Sequence, residues 1–218
     1  MSTLAQWAPA VLALVVVAGP GTWRLSRNTI TIAHEGGHAL VALLTGRRLE
    51  GVKLNPDTSG VTVSRGRPAG PAVVLMYLAG YVTPSLLGLG AAALVAADRV
   101  RPLLWATAVL LAGMLLMIRN LFGVLSVVLT GAVVLAVSWY ATAEWQAAFA
   151  LFVAWFLLLG GVRPVGELQR RRPRGRAPNS DADQLARITR VPGLLWVLLF
   201  AAVAIGALLL GGRMLLPL

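Results

Sequence analysis

Long apolar runs divide this chain almost end to end, and they limit what it can fold into more than any other feature. The runs fall at residues 4–19, 29–45, 71–97, 102–118, 120–139, 146–162 and 193–212, and most approach the length of about 20 residues that takes a helix across a bilayer. The pattern predicts an all-α polytopic membrane protein with about seven transmembrane helices. Hydrophobic residues make up 58% of the chain, charged residues 12%, and mean hydropathy is +0.79, outside the balance of a soluble domain. The spans use up most of the 218 residues, so residues 1–218 read as a single integral membrane domain. Two runs meet at Arg119-Asn120 with almost no loop, where a kinked or re-entrant arrangement is the alternative to two spans.

The net charge of +11 raises the question of nucleic acid, but the arginines gather at span ends and in the segment 163–192, where anionic lipid and the positive-inside rule account for them. No nucleic acid is expected. With 163–192 on the cytoplasmic face, alternation of seven spans puts 46–70 and Arg119 on that face too, and with them fourteen of the 19 Lys and Arg residues. The N-terminus is then cytoplasmic. The opening M-S-T-L-A-Q-W lacks the basic stretch of a cleaved signal peptide, so 4–19 reads as a retained anchor.

Two segments do not read as spans. Residues 51–65 alternate apolar and polar around N-P-D-T-S-G, which predicts a β-hairpin; its edge can receive an extended peptide as an added strand, or it is a plain connecting turn. The basic loop 163–192 contains R-R-R-P-R-G-R-A-P-N, whose proline, glycine and like charge favour a disordered, lipid-contacting stretch. Gly80, Pro84, Gly88 and Gly90 sit at spacings that let helices approach closely, with a secondary role in admitting a substrate backbone.

Against this apolar background, both histidines of the chain stand in the string H-E-G-G-H, as His34 and His38 around Glu35. Residues i and i+4 share a helix face, so two imidazoles at this spacing can hold one metal ion while the Glu acts as general base on water beside it. Ionisable groups are costly in a span and are rarely kept without a partner or a task; a structural polar cluster is the plainer alternative. With no cysteine in the chain, a third ligand has to be a carboxylate. Asp57 belongs to the predicted turn, Asp98 stands among arginines, Glu144 falls on the far face, and Glu50 and Glu167 flank spans beside basic residues. Ser180 and Asp183 resemble a capping box opening a short helix, which occupies Asp183. Asp181 is left as the candidate ligand, with Asp183 as its alternative, and either requires the loop to re-enter the protein.

Taken together, A-H-E-G-G-H-A-L-V-A-L-L-T-G at 33–46, the hairpin after it, A-G-Y-V-T-P-S at 79–85 and S-D-A-D-Q-L-A-R-I-T at 180–189 resemble the site-2 protease class of intramembrane zinc metalloproteases, in its short bacterial M50B-like branch. The resemblance implies hydrolysis of a peptide bond in or near the transmembrane segment of a membrane-protein substrate, in a bacterial cell membrane. It implies Zn2+ held by His34, His38 and an aspartate, with Glu35 as catalytic acid and base. Typical members carry that aspartate in an L-D-G or N-P-x-D-G string, which is missing here; Asp181 stands in its place. A non-catalytic metal-binding scaffold and an ion or proton transporter are the alternatives from other classes. The chain shows no internal repeat of the kind many transporters carry.

Overall fold

The computed structural model describes residues 3–172 and 179–216. Eight helices and one hairpin follow in order: α1 (Thr3–Ala18), α2 (Pro20–Leu44), β1 (Arg48–Leu54), β2 (Gly60–Arg65), α3 (Pro71–Ala96), α4 (Val100–Met117), α5 (Leu121–Tyr140), α6 (Ala143–Arg171), α7 (Asp181–Thr189) and α8 (Gly193–Leu215). Pro20 and Pro71 open α2 and α3, where a missing N–H costs nothing because the first turn has no partner for it. Residues 173–178 of the arginine-rich stretch lie outside the described residues.

Five helices, α3, α4, α5, α6 and α8, are long and apolar enough to cross a bilayer, and this is a multi-pass integral membrane protein. The expected count of seven becomes five or six, because α1 and α2 meet at an angle of 99° and make at most one broken span. Gly19 takes an extended conformation ahead of Pro20, and the Thr22 hydroxyl donates to the Val16 carbonyl across the corner at 3.0 Å. From that corner α2 enters and leaves on one side of the bundle. Its first turns lie against the end of α6, with the Trp23 indole N–H donating to Glu167 Oε1 at 3.0 Å. Its last turn packs Ala42 on Val73 and Met76, at the start of α3. Those parts of α6 and α3 belong to one end, where Val165 and Leu168 join Val74, Tyr77 and Leu78 around α7. Arg27 likewise lies beside Glu167 at this end, 3.2 Å from its carboxylate.

The hairpin lies where its pattern puts it, with β1 and β2 antiparallel from Arg48↔Arg65 to Leu54↔Gly60 and a bulge between Leu49 and Gly51. Gly51 has φ 147°, a backbone that L side chains rarely adopt. The inner strand is locked on both edges. The Arg119 N–H donates to the Val52 carbonyl at 2.8 Å, while the Asn120 amide accepts from the Leu54 N–H at 3.1 Å and donates to its carbonyl at 2.7 Å. This explains how α4 and α5 join so tightly. The outer edge of β2 carries no strand among the described residues. Val52 and Leu54 are fully buried against Ile32, Leu111, Met114 and Ile118, which holds the hairpin against α2 and beside the histidines.

Candidate metal centre

The two histidines face α3 from one side of α2, and the two helices come close because Gly80 stands between them. A Cβ at Gly80 would lie 2.5 Å from both Cε1 and Nε2 of His38. The His38 Nδ1 sits 2.6 Å from the Met76 carbonyl; a carbonyl only accepts, so Nδ1 carries the proton and Nε2 presents a lone pair. His34 meets the edge of Tyr81 at 4.8 Å between ring centres, and Tyr81 is in turn stacked on Phe200 of α8 at 5.0 Å. Both rings are thus held in place by their surroundings.

The third group arrives from α7. Ser180 caps that helix, its hydroxyl donating to Asp183 Oδ2 at 2.7 Å, and Arg172 at the end of α6 donates to Asp183 Oδ1 at 2.7 Å. Partial burial works against ionisation of Asp183, but the hydrogen bonds from Arg172 and Ser180 prevail and hold its carboxyl below the usual range. With the helix anchored in this way, Asp181 Oδ2 comes 3.2 Å from His34 Nε2 and 3.3 Å from His38 Nε2, and the two nitrogens are 3.1 Å apart. Bonds of about 2.0–2.1 Å in a tetrahedron put neighbouring ligand atoms about 3.3 Å apart, so these three atoms have the spacing of one face of a zinc site. Asp181 Oδ2 is buried without a hydrogen-bond partner. Three lone pairs converging in a buried space are what a cation needs, and an orphaned acceptor is otherwise costly. The donor set fits a zinc ion, which His34, His38 and Asp181 would hold.

Glu35 is buried and turns from the histidines towards the hairpin. The Thr62 hydroxyl of β2 donates to Glu35 Oε2 at 2.6 Å, and Gly60 packs against the carboxylate, where a side chain would collide with it. Glu35, His34, His38 and Asp181 line one cavity of about 510 Å3, bordered by Tyr81 and by the hairpin tip from Thr58 to Thr62. The other carboxylates are engaged elsewhere or stand apart. Asp57 accepts from the N–H and hydroxyl of Ser59, bonds that hold its carboxyl below the usual range. Glu50 pairs with Arg65, and Glu167 serves Trp23, Arg27 and Arg163. Asp98 and Glu144 lie outside the cluster.

A family profile described as Peptidase M50B-like matches residues 7–211. The chain belongs to the Peptidase M50B-like family. No curated protein and no solved structure gives a significant match. For a member of this family, the geometry assembles the motif helix and the aspartate chosen by elimination, and it leaves Asp183 as the anchor of Asp181. Sequence reasoning missed Thr62, Met76 and Tyr81. Thr62 is one polar position in the alternation of V-T-V-S, and nothing in that pattern marks it as the partner of Glu35. Met76 acts through a backbone carbonyl, which no side-chain pattern reveals.

Proposed function

We propose that this protein is an intramembrane zinc metalloendopeptidase that hydrolyses a peptide bond in or near the transmembrane segment of a membrane-protein substrate. The observation that carries this reading is the His34, His38 and Asp181 triangle, at tetrahedral spacing and beside a buried glutamate. Membership of a peptidase family over nearly the whole chain supports it. Zinc, when bound, makes water more acidic and polarises a carbonyl. The rest falls to the chain. Glu35 takes the proton from the attacking water and passes it to the leaving amine, while Thr62 fixes the carboxylate for both transfers. The Met76 carbonyl holds His38 in the tautomer that ligates. The free edge of β2 receives the substrate as an added strand, which keeps the peptide bond out of its helix while it is cut.

The basic end of the bundle faces the cytoplasm of a bacterial cell, in line with the positive-inside rule. On that orientation α1 runs towards the cytoplasmic face, the reverse of the N-terminal orientation expected from seven spans. The test is cleavage of a single-span substrate protein in detergent by the zinc-loaded chain and by Glu35→Gln. The variant keeps its zinc and loses cleavage; equal function in both would favour a metal-binding scaffold.

A further inference from the structure

Among the described residues, the cavity has one cation in its wall that the chemistry above does not use. Arg27 lines the cavity together with Thr31, His34, Glu35, Thr58 and Ser59. Its ion-pair partner is Glu167, whose Oε2 lies 3.2 Å from Arg27 Nη1 yet has no hydrogen-bond partner, and at longer range it also faces the exposed Asp57 carboxylate of the hairpin tip. Glu167 is already committed through its other oxygen to Trp23 and Arg163. Arg163 itself lies over the Trp23 ring, 4.8 Å from its centre, and donates to the Val17 carbonyl. The group thus holds two guanidiniums against one carboxylate. Of the two, Arg27 is the one that faces the cavity, with the solvent-exposed Asp57 the other acid near it, and its guanidinium makes no hydrogen bond among the described residues. A guanidinium carries five donors in a fork that fits a carboxylate.

Its position along α2 sets where such a carboxylate would lie. Arg27 precedes His34 by seven residues, two turns of helix, so the two share a face and are separated by about 10 Å along the axis. An extended peptide covers that distance in about three residues. The hairpin tip carries the line of β2 past Thr31, where the Thr31 hydroxyl donates to the Thr58 carbonyl at 2.9 Å, and on towards Arg27. We propose that Arg27 is a specificity-determining residue that receives an Asp or Glu side chain of the substrate about three residues from the scissile bond. This rests on the proteolytic reading of the site. It narrows the substrate class to membrane proteins with an acidic residue at that distance from the cut.

The test offers the zinc-loaded full-length chain, in detergent micelles, a mixture of synthetic unstructured 14-residue peptides of varied sequence, with cut sites read by mass spectrometry. Wild type favours Asp and Glu over neutral residues at one position, two to four residues from the cut, by about tenfold or more, the worth of a charge-assisted hydrogen bond. Arg27→Gln loses that preference, Arg27→Lys keeps part of it, and Arg27→Glu turns it towards Lys and Arg at the same position. A bond that only ties α2 to α6 would change rate or stability and leave the preference as it was. Cleavage without acidic enrichment in wild type, or with equal enrichment in Arg27→Glu, overturns the proposal while the protease reading stands. No cleavage of any peptide by zinc-loaded wild type overturns both.

Discussion

Gly80→Ala should empty the metal site of an otherwise folded protein. The added methyl would stand 2.5 Å from two atoms of the His38 ring and 2.7 Å from His34 Cε1. Ordinary van der Waals contact begins at 3.4 Å, so the rings, or α3 as a whole, must retreat by nearly 1 Å (roughly 0.9 Å for His38). Metal bonds tolerate departures of only about 0.2 Å, and His38 cannot retreat freely because the Met76 carbonyl holds its other nitrogen. Changes one shell out from the ligands commonly cost about 10–100-fold in metal affinity; a displaced ligand should cost at least the upper figure. Within the helix the exchange of glycine for alanine is itself favourable by about 0.8–1 kcal/mol, which offsets part of the strain. Zinc affinity by competition with a fluorescent chelator, read beside helical content by circular dichroism, separates the two effects. The control is Gly90→Ala, where a methyl meets nothing within 4 Å. Zinc affinity of Gly80→Ala within a few-fold of wild type would refute the claim that these rings are metal ligands held by their packing on α3.

Two further outcomes follow from the same contacts. Thr62→Val removes a hydrogen bond to a charged group, worth about 1.5–3 kcal/mol, and should lower kcat by about 10–100-fold with zinc content and KM unchanged. Thr62→Ser restores turnover, and a Thr62→Val protein as active as wild type would mean that Glu35 needs no such support. Arg172→Ala frees α7 by removing a partly exposed ion pair worth about 1 kcal/mol or less, so zinc affinity should fall by about fivefold at most; a loss as large as that of Asp181→Asn would show Asp183 and its anchor to be part of the ligand set.

The motif helix, the hairpin and the carboxylate that completes the triangle were legible in the sequence for separate reasons. His34, Glu35 and His38 have a spacing that means something only on a helix. The hairpin declares itself by alternation around a turn rich in Asn, Pro, Asp and Gly. Asp181 was reached because every other acid had local work or, for Glu144, fell on the far face, and the capping role of Asp183 is borne out by its bonds to Ser180 and Arg172. What escaped was long-range. Residues 29–45 are apolar enough to pass for a span, and only the corner at Gly19-Pro20 and the contacts of Trp23 with Glu167 bring both ends of α2 to one side. The tight junction at Arg119-Asn120 works because Asn120 bonds both polar groups of Leu54, a pairing across more than sixty residues that no local pattern announces.

The most direct measurement is the zinc content of the purified full-length chain in detergent, taken in parallel for wild type, His34→Ala and Asp181→Ala. About one zinc per chain in wild type, absent from both variants while each keeps its helical content, is the expected result. Wild type without zinc after loading, or a bound zinc indifferent to Asp181, would contradict the metal centre on which the proposed hydrolysis depends.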